Sequence, residues 1–157
     1  MSDDPFLDHD DALKCLSLLA ASKAGTRGEV PVGAVLADPS GRIISETGNQ
    51  VLANNDPLGH AELRAITTGA HRLHNYRLSD CRLTVSLQPC PMCIGAMNSA
   101  RLFQWTFLAG RPQGNEGIIP IESMDYIQNN SGRETPFPLL FPTWSATLLR
   151  FFFESRR

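Results

Sequence analysis

The sequence predicts a three-layer α/β domain around a mixed central sheet. The first observation behind this is the order of elements, α-β-β-α-β-α-β and then a closing helix, read from hydrophobic periodicity. The second is a hairpin signal: apolar runs at 32–37 and 42–47 flank Asp38-Pro39-Ser40-Gly41. The third is size, because 157 residues fall within the roughly 100–200 of one domain. A single domain over 1–157 is expected, with 1–8 a loose acidic lead.

Residues 10–24 carry the first helical pattern, with Leu13, Leu16, Ala20 and Ala24 near one face and Gly25 as a stop. Asp10 and Asp11 suit its positive N-terminal end. The hairpin follows. A loop is expected through Asn54-Asn55-Asp56-Pro57 to Gly59, then a helix over 60–68 closing near Gly69. Residues 82–87 read as a strand. Pro91 then falls in the first turn of a helix, where a missing N–H costs nothing. Residues 102–108 form another strand. The stretch 110–142 is rich in Gly and Pro and reads as loops around a short helix near 121–128. A closing helix over 143–155 follows, with Thr143 as its N-cap.

Composition narrows the function classes. Hydrophobic residues at 42% and charged residues at 19% argue against disorder of the whole chain. No apolar run approaches the roughly 18 residues of a membrane helix. The N-terminus lacks the basic-then-apolar pattern of a signal peptide, so a soluble cytoplasmic protein is expected. The net charge of −2 hides an asymmetry. Five aspartates lie in the first eleven residues, and the remainder carries 14 basic against 11 acidic residues, a net +3. Of the basic residues 12 are Arg, which suits planar phosphate and base contacts. The balance implies no extended nucleic-acid footprint and is compatible with a short RNA loop.

The chemistry concentrates in His60-Ala61-Glu62 and Pro89-Cys90-Pro91-Met92-Cys93. A bare C-x-x-C without a signal peptide reads as a metal site, a redox pair or two core cysteines. Cys90 and Cys93 are i and i+3 at a helix start, so both sulfurs face one side. The helix N-terminus favours the thiolates that zinc needs. His60 can supply a third ligand. Two thiolates neutralise Zn²⁺, and three protein ligands plus a water is the catalytic pattern; such a metal makes a nucleophile of water near neutral pH. Spacing alone gives Glu62 no role, but a carboxylate beside that water is suited to move its proton. Cys81 as a fourth ligand would make the site structural. At about 3.3 Å per residue, however, a strand over 82–87 sets it far from Cys90. Cys81 and Cys15 are therefore expected in the core, His71 and His74 on the surface of a loop, Trp105 in a strand core, and Trp144 in the packing of the last helix. Arg150, Arg156 and Arg157 beside Phe151–Phe153 read either as a basic, aromatic edge for single-stranded RNA or as a helix packing its Phe face; the second reading is preferred.

H-x-E followed by P-C-x-x-C is the signature of zinc deaminases of nucleobases, and the chain resembles that family. Within it the similarity is greatest to bacterial tRNA adenosine deaminases. It rests on Glu29-Val30-Pro31-Val32-Gly33-Ala34-Val35, Asn49, Asn55-Asp56-Pro57, the two motifs above, Asn75-Tyr76-Arg77-Leu78, Gly95-Ala96-Met97 and the closing Leu148–Phe153 segment. The resemblance covers about 10–109 and the end of the chain. It implies a cytidine-deaminase-like α/β/α fold. It also implies one zinc per chain on His60, Cys90 and Cys93, with Glu62 as the catalytic proton shuttle. Asn49 and the Ala61 backbone would bind the base, and the enzyme would be a homodimer. The implied reaction converts adenosine to inosine at the wobble position of a tRNA anticodon loop. Two departures stand out. Gln88 replaces a usual Glu, and Leu108-Ala109-Gly110-Arg111-Pro112 lacks an Asp that the family carries near its substrate, Arg111 taking its place. A deaminase of a free base or small heterocycle, such as guanine, is the second hypothesis. A non-enzymatic zinc module is the third, and Glu62 counts against it.

Overall fold

The computed structural model describes residues 9–110 and 140–156. Helix α1 (His9–Thr26) precedes strands β1 (Gly33–Ala37) and β2 (Ile43–Gly48). A short helix α2 (Val51–Asn54), helix α3 (Ala61–Leu73) and strand β3 (Arg82–Leu87) follow, then α4 (Pro91–Ser99), β4 (Gln104–Ala109) and α5 (Leu140–Glu154). The sheet order is β2-β1-β3-β4. β1 is antiparallel to both β2 and β3, and β3 is parallel to β4. The sheet is mixed, and the α/β fold matches the expectation.

Side-chain alternation along β1 builds the layers. Val35 and Ala37 pack with Leu13 of α1. Ala34 and Leu36 pack with Ile44, Ala65, Ile66, Leu83, Val85 and Met97, the core between the sheet and α3 and α4. Helix α5 lies against α1 and against β3 and β4. The order of strands brings the start of β1 and the ends of β2, β3 and β4 to one edge. The β1–β2 turn and the starts of β3 and β4 lie at the other.

Several local expectations shift. α1 runs through Gly25 to Thr26, and the chain turns at Gly28, whose φ is +87°. Cys15 is exposed rather than in the core; it shares the outer face of α1 with Leu19, one turn on, while Leu13, Ser17, Ala20 and Ala24 form the inner stripe. α3 continues past Gly69 to Leu73, and His74 ends it in the left-handed conformation at φ 50°. Gly69 serves close packing instead, because a Cβ there would come 2.3 Å from Leu36 Cδ2. His71 thus sits in the last turn of α3 and His74 caps it; both are exposed but not in a loop. β4 starts at Gln104, because the Leu102 N–H bonds to Met97 O and still closes α4. α5 begins at Leu140, so Thr143 lies inside it and is not its cap. Pro142 falls in its first turn, where no N–H is needed. Trp144 is exposed, and so are Phe151 and Phe153, leaving Phe152 as the buried phenylalanine of that trio. Cys81 and Trp105 are buried. The lead at 1–8, the short helix near 121–128, Arg111 and Arg157 lie outside the described residues. Among the described residues no helix is long and apolar enough to cross a membrane.

Candidate metal centre and active site

Two helix N-termini meet at the sheet edge where β3 ends. His60 is the N-cap of α3, with φ −69° and ψ 145°. Cys90 is the N-cap of α4, with φ −80° and ψ 167°, and Pro91 occupies the first helical turn. α3 and α4 pack against each other, so these caps and Cys93 face one another. His60 Nδ1 lies 3.7 Å from Cys90 Sγ and 3.5 Å from Cys93 Sγ, and the sulfurs are 3.5 Å apart. Cys93 is fully buried, whereas Cys90 and His60 are half-buried. The site is therefore closed behind and open in front.

The triangle can be tested against a metal. Tetrahedral bonds of about 2.3 Å to sulfur and 2.0–2.1 Å to nitrogen set the sulfurs about 3.8 Å apart and each sulfur about 3.5 Å from the nitrogen. The observed edges agree to within about 0.3 Å, and the donor set is one that zinc takes. His60, Cys90 and Cys93 are the group among the described residues whose ligand atoms converge in this way.

The electrostatics favour a cation. The Cys90 thiol is pulled down to about 3, first by its hydrogen bond with Cys93 and, against burial, by His60 and the Cys93 backbone N–H. The Cys93 thiol is pushed up, first by the same sulfur–sulfur hydrogen bond, then by burial and by Glu62. Both sulfurs lie beside the N-terminal ends of α3 and α4, whose positive partial charge favours thiolate.

Glu62 lies in the first turn of α3, is 2% exposed, and reaches the Cys93 side chain. Asn49, buried just after β2, accepts the Ala61 N–H at Oδ1 over 2.9 Å. That bond fixes the amide orientation, so Nδ2 is the end left to donate. Thr47 Oγ1 donates to the Ala61 carbonyl at 2.7 Å. The structure therefore gathers all six sequence-predicted residues, Asn49, His60, Ala61, Glu62, Cys90 and Cys93, at one edge. Cys81 and Cys15 stand apart, as β3 and α1 place them.

Two contributors escaped sequence reasoning about the site. Glu29 accepts three backbone N–H groups of α2, and Arg64 donates to the Gly48 carbonyl next to Asn49. Burial and those N–H bonds act on Glu29 in opposite directions, and the bonds, with Arg27, leave it below the ordinary carboxylate range. In the sequence Glu29 stands only at the head of the Glu29–Val35 segment that carries the resemblance, with nothing there to mark its partners in α2.

The sequence model of a protein family described as the cytidine and deoxycytidylate deaminase zinc-binding region matches residues 7–109. A tRNA-specific adenosine deaminase of Haemophilus influenzae is 41% identical over 100 residues, 64% of this chain and 58% of that protein. The matched stretch thus spans little more than half of that relative. Another from Agrobacterium fabrum is 35% identical over 145 residues, covering 90% of this chain and 92% of its own. A guanine deaminase of Bacillus subtilis is 43% identical over 97 residues, 60% of each chain. A solved structure from work on A-to-I editing by tRNA:A34 deaminases superposes with a TM-score of 0.65 at 37% identity, over 68% of this chain and 82% of the other.

Proposed function

The chain belongs to the cytidine and deoxycytidylate deaminase zinc-binding family, and from that premise we propose that it is a zinc-dependent hydrolytic deaminase of an aminopurine. The substrate is adenosine at the wobble position of a tRNA anticodon loop, and the products are inosine and ammonia. The carrying observation is the His60, Cys90 and Cys93 triangle with a buried carboxylate, Glu62, at its side.

One zinc per chain is held by these three side chains and, when bound, supplies a nucleophile from water near neutral pH. Glu62 moves the protons: its carboxylate takes one from the attacking water and delivers it to the ring nitrogen beside C6, then helps protonate the departing amine. Asn49 Nδ2 donates to the base edge, and the Ala61 backbone fixes the Asn49 amide. Cys93, Pro89 and Ala61 are buried and close the back of the site. The 157 residues act as one domain, with 1–8 an acidic lead. Two chains pair as a homodimer, a reading supported by exposed Leu52, Leu58 and Met92 close in sequence to the site residues. The cytoplasm is the proposed place of action.

The relatives that act on tRNA, one of them matched over nearly its whole length, support the RNA substrate. Phe151 and Phe153, 72% and 54% exposed beside exposed Arg150, offer stacking surface for single-stranded bases. The guanine deaminase likeness favours a second reading, a free purine base as substrate. Ammonia release from free bases, nucleosides and an anticodon stem-loop separates the two. Release from the stem-loop, falling as salt is added, is expected; release from guanine alone transfers the site to the second reading.

A further inference from the structure

A buried carboxylate outside the metal triangle stands behind the substrate side of the site. Glu29 is 2% exposed and lies in the connection between α1 and β1. Its Oε2 accepts the N–H groups of Val51 at 3.1 Å and Leu52 at 3.2 Å, and its Oε1 accepts that of Ala53 at 2.8 Å. These are the first N–H groups of α2, a four-residue helix whose own N-cap, Gln50, makes no side-chain cap bond. A helix that short does not persist alone. A distant, charged cap therefore holds it.

Between β2 and α2 stand only Asn49 and Gln50. The backbone before Asn49 is held by the pairing of Gly48 with Gly33 and by Arg64 on the Gly48 carbonyl. The backbone after it is held by Gln50 N–H on Gly59 O at 2.8 Å and by the Glu29 cap. The Asn49 N–H itself bonds to Val32 O at 3.0 Å, so the segment that carries Glu29 grips Asn49 directly as well.

We propose that Glu29 is a positioning residue: by capping α2 it sets Asn49, and through it the Nδ2 donor, for the base of the substrate. This rests on the deaminase reading above. Glu29 touches neither substrate nor metal and acts through Asn49. A glutamine in its place has one acceptor oxygen where three N–H groups need two, and its NH₂ opposes one of them.

The test is a double-mutant cycle on the full, zinc-loaded chain, with an anticodon stem-loop RNA carrying adenosine at the wobble position. Glu29→Gln should lower kcat/KM by about 10–100-fold, mostly through KM, with zinc content unchanged. In an Asn49→Ala background the same change should cost less than about twofold, because the two residues act as one unit. An equal, additive loss in both backgrounds overturns the proposal. Where Glu29→Gln fails to fold, Glu29→Asp carries the cycle and the same outcomes apply. Hydrogen exchange at the amides of Asn49, Val51, Leu52 and Ala53 gives a reading independent of turnover. Faster exchange in the variant is expected, and unchanged exchange overturns the proposal even if the stem-loop is no substrate.

Discussion

Both ends of the central sheet are polar, but they are polar in different ways. At the β1–β2 turn the polar groups are satisfied by close sequence neighbours. Asp38 Oδ1 accepts from the Ser40 N–H at 2.9 Å, the Ser40 hydroxyl at 2.6 Å and the Arg42 N–H at 3.0 Å, and Oδ2 accepts from Arg42 Nε at 3.1 Å. Asp11 holds Lys14 at 2.9 Å, and a longer-range pair here, Arg82 with Asp10, ties β3 to α1. A cavity of about 440 Å³ opens there, lined by His9, Asp10, Asp38 and Arg82 among others. It contains none of the residues of the metal site. At the opposite end the participants come from separate elements: the ligand atoms of His60, Cys90 and Cys93 lie within 4.8 Å of one another, Glu62 reaches Cys93, and Asn49 is held on the Ala61 N–H beside them. That cavity thus lies away from the group of converging metal-ligand atoms. Convergence of side chains from separate elements, with a donor still available at Asn49, marks the chemistry better than volume does.

The largest effects should fall on the converging end. Glu62→Ala should keep zinc and lose turnover by about 10²–10⁴-fold, measured as ammonia release beside metal content. Cys93→Ala, as the companion variant, should lose the metal as well. Comparable losses from Asp38 or Asp10 variants would erase the distinction between the ends.

A middle effect is expected where the two ends are tied together by packing. In Gly69→Ala the new methyl meets Leu36 at the centre of the sheet. Overpacking of this kind costs about 1–3 kcal/mol, so a lower melting temperature is expected with kcat/KM nearly unchanged. A large fall in kcat/KM at full stability would show that the core strand transmits to the site, and the ends would no longer be separable.

The contrast between the ends also explains what could be read from sequence. The hairpin turn was legible in four adjacent residues, Asp38 to Gly41, because its partners are local. β3 and the start of α4 were equally legible, from apolar alternation and from Pro91 in a first turn. The metal residues were legible because their chemistry is rare, although spacing alone did not bring His60 to the cysteines; the packing of α3 on α4 does that. α2 was missed because its cap comes from Glu29, more than twenty residues away. Gly69 was misread as a stop because a glycine inside a helix carries no mark of the leucine it accommodates. Cys15 was misplaced because α1 carries small and apolar residues on several faces, so its inner stripe is set by the sheet.

The smallest effect should come from the locally paired end, and its pH dependence is its signature. The Asp38 carboxyl is held below its ordinary 3.8, first by the Ser40 hydroxyl and, against burial, by the Arg42 and Ser40 backbone N–H groups and the Arg42 side chain. A carboxyl with a depressed folded value contributes stability that is present above the ordinary value and fades as pH falls through the folded one. Asp38→Asn should therefore lower the melting temperature slightly at neutral pH, and the gap to the parent protein should close below about pH 3.8. Solvent screening at this exposed turn keeps the effect small. Turnover on the stem-loop should not move, because no hydrogen bond of Asp38 reaches beyond its own turn. A change in kcat/KM greater than about twofold, with the melting curve intact, would mean that the turn communicates with the metal end through β1, whose five residues join the two.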